Sequence, residues 1–502
     1  MSTKLQAGLI SILFKIVGIA ICVACLSMNA AGQRPHYDIR LLPEGMKIIV
    51  EGRAAPAKAW SFRDSYGGVI GLGKRIGRIA SFDDRGSEVE LRQIAPGHFD
   101  SQQPSGHFRY EVDLTSPARS SDSATVSWLT RDRGLLMLTD LLPVSSADQK
   151  TLHSATIKFS LPDGWTVYAN HTGSQVLQLD VSDVDRAVFV VGSRLRANRI
   201  DEAGLSFDYV SDGDWAFADR DAIDLAKQIL RAHRETFGGL PANSPQLIVL
   251  PFPQAAGPSQ WAAETRGSTV TLLLGKLPSK NAALAQLSTP LTHELMHLWV
   301  PNGLGLGGDY DWFYEGFTVY EAARTAVRLG LLTFPEFLNA MARAYDGYLG
   351  NDDRDRLSLM EASVRRWTVG QTSVYSKSML VAFLYDLHVR SDSRRKKTLE
   401  NAYRVLFKEY GRTRPEAGEP SIDGNTAAIT SLGFDRSMTS FVEKNVKTPV
   451  AIDLKSELAP YGLVVESFGL RTRINVSDQL TKPQRELLRD LGYNDVVRTP
   501  RK

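Results

Sequence analysis

Cysteine is nearly absent from this chain of 502 residues: only Cys22 and Cys25 occur, both in the first thirty. A chain trimmed behind them has no disulfide to staple it and no thiolate to hold a metal or attack a substrate. Any metal must then be held by His, Asp or Glu. Charge of one sign is also lacking. The formal net charge is +3; Lys4 and Lys15 lie in the leader, leaving about +1. With no basic stripe or acidic tail, nucleic acid is not an expected partner. Internal repeats and long low-complexity linkers are missing too. An apolar content of 43% and a charged content of 23% are those of a folded soluble protein, and this length calls for two to four domains.

The longest apolar stretch, Ile16 to Met28, is too short to span a bilayer comfortably. Lysines precede it and small residues follow, ending in Ala30-Ala31-Gly32. That is the layout of a secretory signal peptide, 1–32, and predicts an exported protein, periplasmic or extracellular. Retention of the leader, or lipidation at Cys25, would instead tie it to a membrane.

From 33 to about 215 the chain runs in short alternating segments, "HFRYEVDL" and "ATIKFSLPDGWTVYA" among them, broken by Gly, Pro, Asp and Ser. Period-2 alternation at this spacing predicts an antiparallel, sandwich-like β domain. His98, His107, His153 and His171 are scattered through it and read as surface or packing residues. Near Asp219 the texture changes. "DRDAIDLAKQILRAHRETFG" has helical periodicity ending at Gly238-Gly239, "SPQLIVLPFP" and "STVTLLLG" read as buried strands, and helices dominate from Pro290 to about 450. The predicted fold is α+β and multidomain: the β domain, a mixed domain of strands and helices over 216–330, a helical part over 331–450, and a small C-terminal segment over 451–502.

The chemistry concentrates in "STPLTHELMHLWVP", 288–301. Ser288 or Thr289 is expected to cap a helix with Pro290 in its first turn. His293 and His297, at i and i+4, share a face and can reach one ion, with Glu294 beside them. H-E-x-x-H is a zinc metalloprotease pattern in which the glutamate is the general base. A catalytic zinc site needs a third protein ligand and an open position. Seventeen residues separate His297 from Glu315, which falls in the first turn of a second helix that Asp309 or Asp311 is expected to cap. Two histidines and a glutamate make the His₂Glu set of thermolysin-like sites.

Three blocks, "HELMHLW", "DWFYEGFTVYEAARTAVRLGLLTFPEF" and "SVYSKSMLVAFLYDLHVR", taken in order resemble the M61 metallopeptidases, the glycyl aminopeptidase family among the gluzincins. The resemblance runs from about 219 to 467. It implies a thermolysin-like catalytic domain, one Zn²⁺ per chain on His293, His297 and Glu315, Glu294 as general base, and a peptide as substrate. It gives Tyr375, in "VYSKS", the role of a hydrogen-bond donor to the tetrahedral intermediate; Ser378 stands where the family usually has Gly. It places Glu264, in "WAAETRGST", where relatives carry a "GGLEH"-type strand that binds the substrate's free amino group. Here Ala262 and Ala263 replace both glycines and Thr265 the histidine. Only about fifty residues follow Val450, so a member without a PDZ-like domain is expected. An aminopeptidase is the activity implied; an endopeptidase, an M1-type aminopeptidase and an inactive secreted binding protein are the alternatives.

Overall fold

The computed structural model describes residues 34–145, 154–170, 177–202, 204–241, 243–411 and 422–494. The expected leader, with Cys22 and Cys25, lies outside them, as do His153 and His171. Among the described residues, no helix is long and apolar enough to cross a membrane.

The protein is a stack of layers. The outermost is a nine-stranded sheet centred on the long strands Lys47–Ser61 and His98–Asp113. Its pairings are antiparallel except that His36–Leu42 runs parallel to Ala155–Ser160. A four-stranded sheet packs beneath it, built on Arg133–Met137 and Val188–Gly192. The strand period of two divides these side chains between layers. Leu136, Phe189 and Val191 face Ile39, Ile48 and Tyr110 in the sandwich core. Leu135, Met137, Val188 and Val190 face the other way, onto Val210, Ile248, Leu250 and Leu273 of a third sheet. Burial on both faces accounts for uninterrupted apolar strings such as "VFVVG".

The third sheet has five strands in the order Arg196–Glu202, Leu205–Ser211, Gln246–Pro251, Thr269–Leu274, Trp261–Arg266. Its first two strands come from the alternating region, so the sheet draws on both sides of position 215. Alternation announces a strand but not the sheet it joins. Tyr209, Leu247, Val249 and Leu272 point to the helical side, where they bury against α1 (Asp219–Phe237) and α2 (Lys280–Met296). α1 ends at Gly238, whose φ of 74° is the left-handed cap that glycine adopts freely.

α2 corrects the expected start of the H-E-x-x-H helix. It begins at Lys280, capped by Ser279, and Pro290 lies inside it. The hydroxyls of Ser288 and Thr292 donate to the carbonyls of Ala285 and Ser288 at 2.9 and 2.7 Å. Packing of Leu287, Leu291 and Leu295 in the core carries the helix through the imide; burying each contributes about 1.5–3 kcal/mol.

Beyond α2 the chain forms a wide π-helical turn, Trp312–Phe317, continuing into α3 (Thr318–Arg328). Then follow α4 (Phe334–Leu349), the short α5 (Leu359–Val364) and α6 (Ser378–Asp392). The C-terminal hairpin, Leu463–Phe468 with Arg471–Val476, is tied to α4 by the Thr472 N–H donating to Asp346 at 2.8 Å.

Candidate metal centre and substrate cleft

A cleft of about 640 Å³ opens between the end of α2, the π-helical turn, the edge strand Trp261–Arg266 and a small hairpin of the β domain, Ser65–Tyr66 with Val69–Ile70. Glu264, His293, Glu294, His297, Glu315 and Tyr375 all line it.

His293 stands in the last turn of α2 and His297 caps it. Their Nε2 atoms are 3.0 Å apart, and Glu315 Oε2 lies 3.5 and 3.6 Å from them. A tetrahedral zinc with bonds of about 2.0–2.1 Å sets its ligand atoms about 3.3 Å from one another, so the three atoms have the spacing of one face of such a polyhedron. Among the described residues they are the one group of three such side chains close enough to hold an ion. His297 Nδ1 lies 2.9 Å from the Val300 carbonyl; donating there leaves Nε2 with its lone pair in the cleft, the usual device for fixing a metal-binding imidazole. The donor set fits zinc.

The turn presenting Glu315 sends Trp312, Phe313 and Phe317 into the core, each fully buried. Such single π turns occur often at functional sites. Gly316 makes room for its neighbour: a Cβ there would come 2.2 Å from Ser378 Cβ, so the turn and α6 touch almost backbone to backbone. Asp311 is not the cap expected of it. Its side chain makes no cap hydrogen bond and instead accepts from Arg366 Nη1 at 2.6 Å. Asp309 accepts through its main-chain carbonyl from Asn425.

Burial alone would raise the Glu315 carboxyl, but the hydrogen bonds to His293 and His297 and the Arg366 charge hold its pKa well below the usual range. Burial works against charge on His297 as well; Glu315 nonetheless holds its pKa up at about 9, so a cation binding here competes with a proton.

Glu294 is buried beside the histidines, and its Oε2 accepts from Thr265 Oγ1 at 2.7 Å. Thr265 thus ties the edge strand to the end of α2. One position earlier, Glu264 is half-buried and accepts from the Tyr66 hydroxyl at 3.0 Å. Burial, with Glu294 adding to it and Arg266 opposing, pushes Glu264 up to about 7. The Arg266 guanidinium stacks 3.9 Å from the Tyr66 ring centre. Tyr375 lines the same cleft from the turn before α6. Its phenol is pushed far up by burial and by Glu315, while Arg366 pulls the other way.

Several cleft residues carry no mark in the sequence. Tyr66 lies 198 positions from its partner Glu264. Arg366 donates to both Glu315 and Tyr375, and only its place nine residues before Tyr375 hints at it. Trp367, 60% exposed, stands at the mouth, 3.5 Å from where a Cβ on Gly68 would lie.

Fold and donor set together define a zinc metallopeptidase. The family model described as M61 glycyl aminopeptidase matches residues 308–386, which hold Glu315 and Tyr375. An aminopeptidase N family protein from Idiomarina loihiensis superposes with a TM-score of 0.70 at 17% identity, over 86% of this chain and 79% of that one. An M1 zinc metallopeptidase from Deinococcus radiodurans superposes at 0.52 with 15% identity, over 84% and 95%. A variant of the latter, bound to a Tyr-Ser-Ala substrate, gives 0.53 at 14% identity over the same shares. At these identities the likeness is one of fold. No curated protein matches the chain.

Proposed function

We propose that the protein is a zinc-dependent aminopeptidase that releases N-terminal residues from peptides. The observation that carries this reading is the convergence of His293, His297 and Glu315 beside the buried carboxylate of Glu294. Zinc held by those three side chains would polarise the scissile carbonyl and acidify water.

The chain's own groups do the rest. Glu294, held at Oε2 by Thr265, takes the proton of the attacking water and passes it to the leaving amine. Tyr375 donates its O–H to the oxygen on which negative charge develops; one such donor is typically worth about 3 kcal/mol of barrier. Glu264, steadied by Tyr66, accepts the free α-ammonium and so sets the distance from the chain's end to the cut. The Deinococcus relative's tripeptide is the kind of ligand this reading expects. Leader 1–32 supports export of the mature chain, and sequencing the N-terminus of secreted material tests it.

Metal analysis of the purified protein, with a panel of free-amino and blocked peptides, tests the function. Stoichiometric zinc with cleavage of free-amino substrates only is the expected result. Cleavage of blocked peptides would make the protein an endopeptidase, and zinc without any cleavage would make it an inactive binder. Failure to take up zinc would end the proposal.

A further inference from the structure

One guanidinium touches both a ligand carboxylate and the phenol of the cleft. Arg366 Nη2 donates to Glu315 Oε1 at 2.9 Å and to the Tyr375 hydroxyl at 2.7 Å. Nη1 donates to Asp311 Oδ1 at 2.6 Å and to the Tyr314 hydroxyl at 3.3 Å. The side chain is 12% exposed, and its guanidinium lies 4.6 Å from the Trp367 ring centre. We infer that Arg366 is a positioning residue for this site. It holds Glu315 so that a single oxygen faces the two imidazoles, and it fills a lone pair of the Tyr375 oxygen so that the phenolic hydrogen turns to the substrate.

The inference rests on the roles proposed above for Glu315 and Tyr375. Its physical basis is the asymmetry of the contacts. The two oxygens of Glu315 have separate partners: Oε1 has the guanidinium, Oε2 the histidines. A carboxylate without the first contact could rotate, offering the ion both oxygens or neither. A guanidinium offers only donors and no acceptor, so where Arg366 meets Tyr375 the phenol oxygen must accept, and its hydrogen must point away from the guanidinium. A residue present only to neutralise Asp311 needs charge and no particular shape. The planar fork that reaches Asp311, Glu315 and Tyr375 together is something a lysine ammonium cannot reproduce.

That difference supplies the test. Arg366→Gln and Arg366→Lys are made with and without Tyr375→Phe. Zinc affinity is measured on the metal-stripped proteins by competition with a chelator, turnover on a free-amino peptide, and folding by thermal melt. Arg366→Gln is expected to weaken zinc about 10- to 100-fold, the usual effect of losing a partner behind a ligand. It should lower kcat about 100-fold with KM changed less than about threefold. In the Tyr375→Phe background the same change should lower kcat by about tenfold or less, because part of its effect passes through the missing hydroxyl. Arg366→Lys keeps the charge beside Asp311, and with it the fold, but should stay within about tenfold of Arg366→Gln in kcat. Full rescue by lysine would overturn the inference, since charge alone would suffice. So would zinc affinity and kcat within about threefold of the parent, or a loss equal with and without the Tyr375 hydroxyl. Failure of the proposed function shows in the parent protein, as absent zinc or absent cleavage; failure of this inference shows only in the variants.

Discussion

The two walls of the cleft are built in opposite ways. The wall holding the histidines and Glu315 rests on fully buried aromatics, Trp312, Phe313 and Phe317. Behind two of its three candidate ligands stand fixed partners, the Val300 carbonyl for His297 and Arg366 for Glu315. The facing wall is a hairpin of two-residue strands turning through Gly67 and Gly68, both at positive φ, with Ile70 81% exposed at its edge. An ion tolerates ligand errors of only a few tenths of an ångström, which a packed core supplies. A side-chain subsite needs shape and some give, which a short hairpin supplies. Substitutions in the first wall should therefore act on metal and kcat, and those in the second on KM.

The sharpest break of this comparison is His297→Ala, expected to lose zinc and all measurable turnover; a variant that loaded zinc and cleaved peptide would refute the ligand set. Next is Glu294→Gln, which should retain stoichiometric zinc while kcat falls by about 10²–10⁴; near-parental turnover would remove Glu294 from the proton path. Tyr375→Phe should lower kcat about 10²–10³-fold with KM nearly unchanged, and the reverse pattern would make it a binding residue. Smaller still is Gly316→Ala. Its methyl group would meet Ser378 and the Val374 carbonyl, and overpacking of this kind costs about 1–3 kcal/mol. A lower melting midpoint should accompany weakened zinc binding, because Glu315 is the adjacent residue. An unchanged midpoint would mean that the turn and α6 can separate.

What the sequence disclosed follows the same division. His293, Glu294 and His297 are legible because one helix turn brings them together, and Glu315 because a single reversal does. Tyr375 came from a resemblance in one block. Arg366 and Tyr66 were invisible because their partners are brought to them only by the packing of distant elements, and an arginine or a tyrosine alone has no spacing to betray it. Asp311 was misread for a related reason: an acidic residue before a helix has a local explanation, and only the folded chain shows the guanidinium that claims it. At the level of elements the alternating strands were plain, while the sheet joined by Leu205–Ser211 was not. Pro290 suggested a helix start because its local rule is strong, but the core contacts of Leu287, Leu291 and Leu295 override it.

The hairpin wall yields the smallest effect, and the one most specific to aminopeptidase action. Glu264 is pushed up to about 7 by burial, with Glu294 adding to the rise and Arg266 and the Tyr66 hydroxyl opposing it. Only the ionised carboxylate attracts a substrate ammonium, so kcat/KM for free-amino peptides should fall as pH drops through about 7. That ratio reports groups of the free enzyme; a blocked peptide, if it is cut at all, should lack this limb. Tyr66→Phe removes a hydrogen bond that favours the charged form, so it should raise KM severalfold and move the inflection to higher pH. Because Tyr66 belongs to the β domain, such a shift would show that this domain reaches into the chemistry. An inflection that stays in place while KM rises would leave Tyr66 as a wall of the subsite and remove it from the control of Glu264.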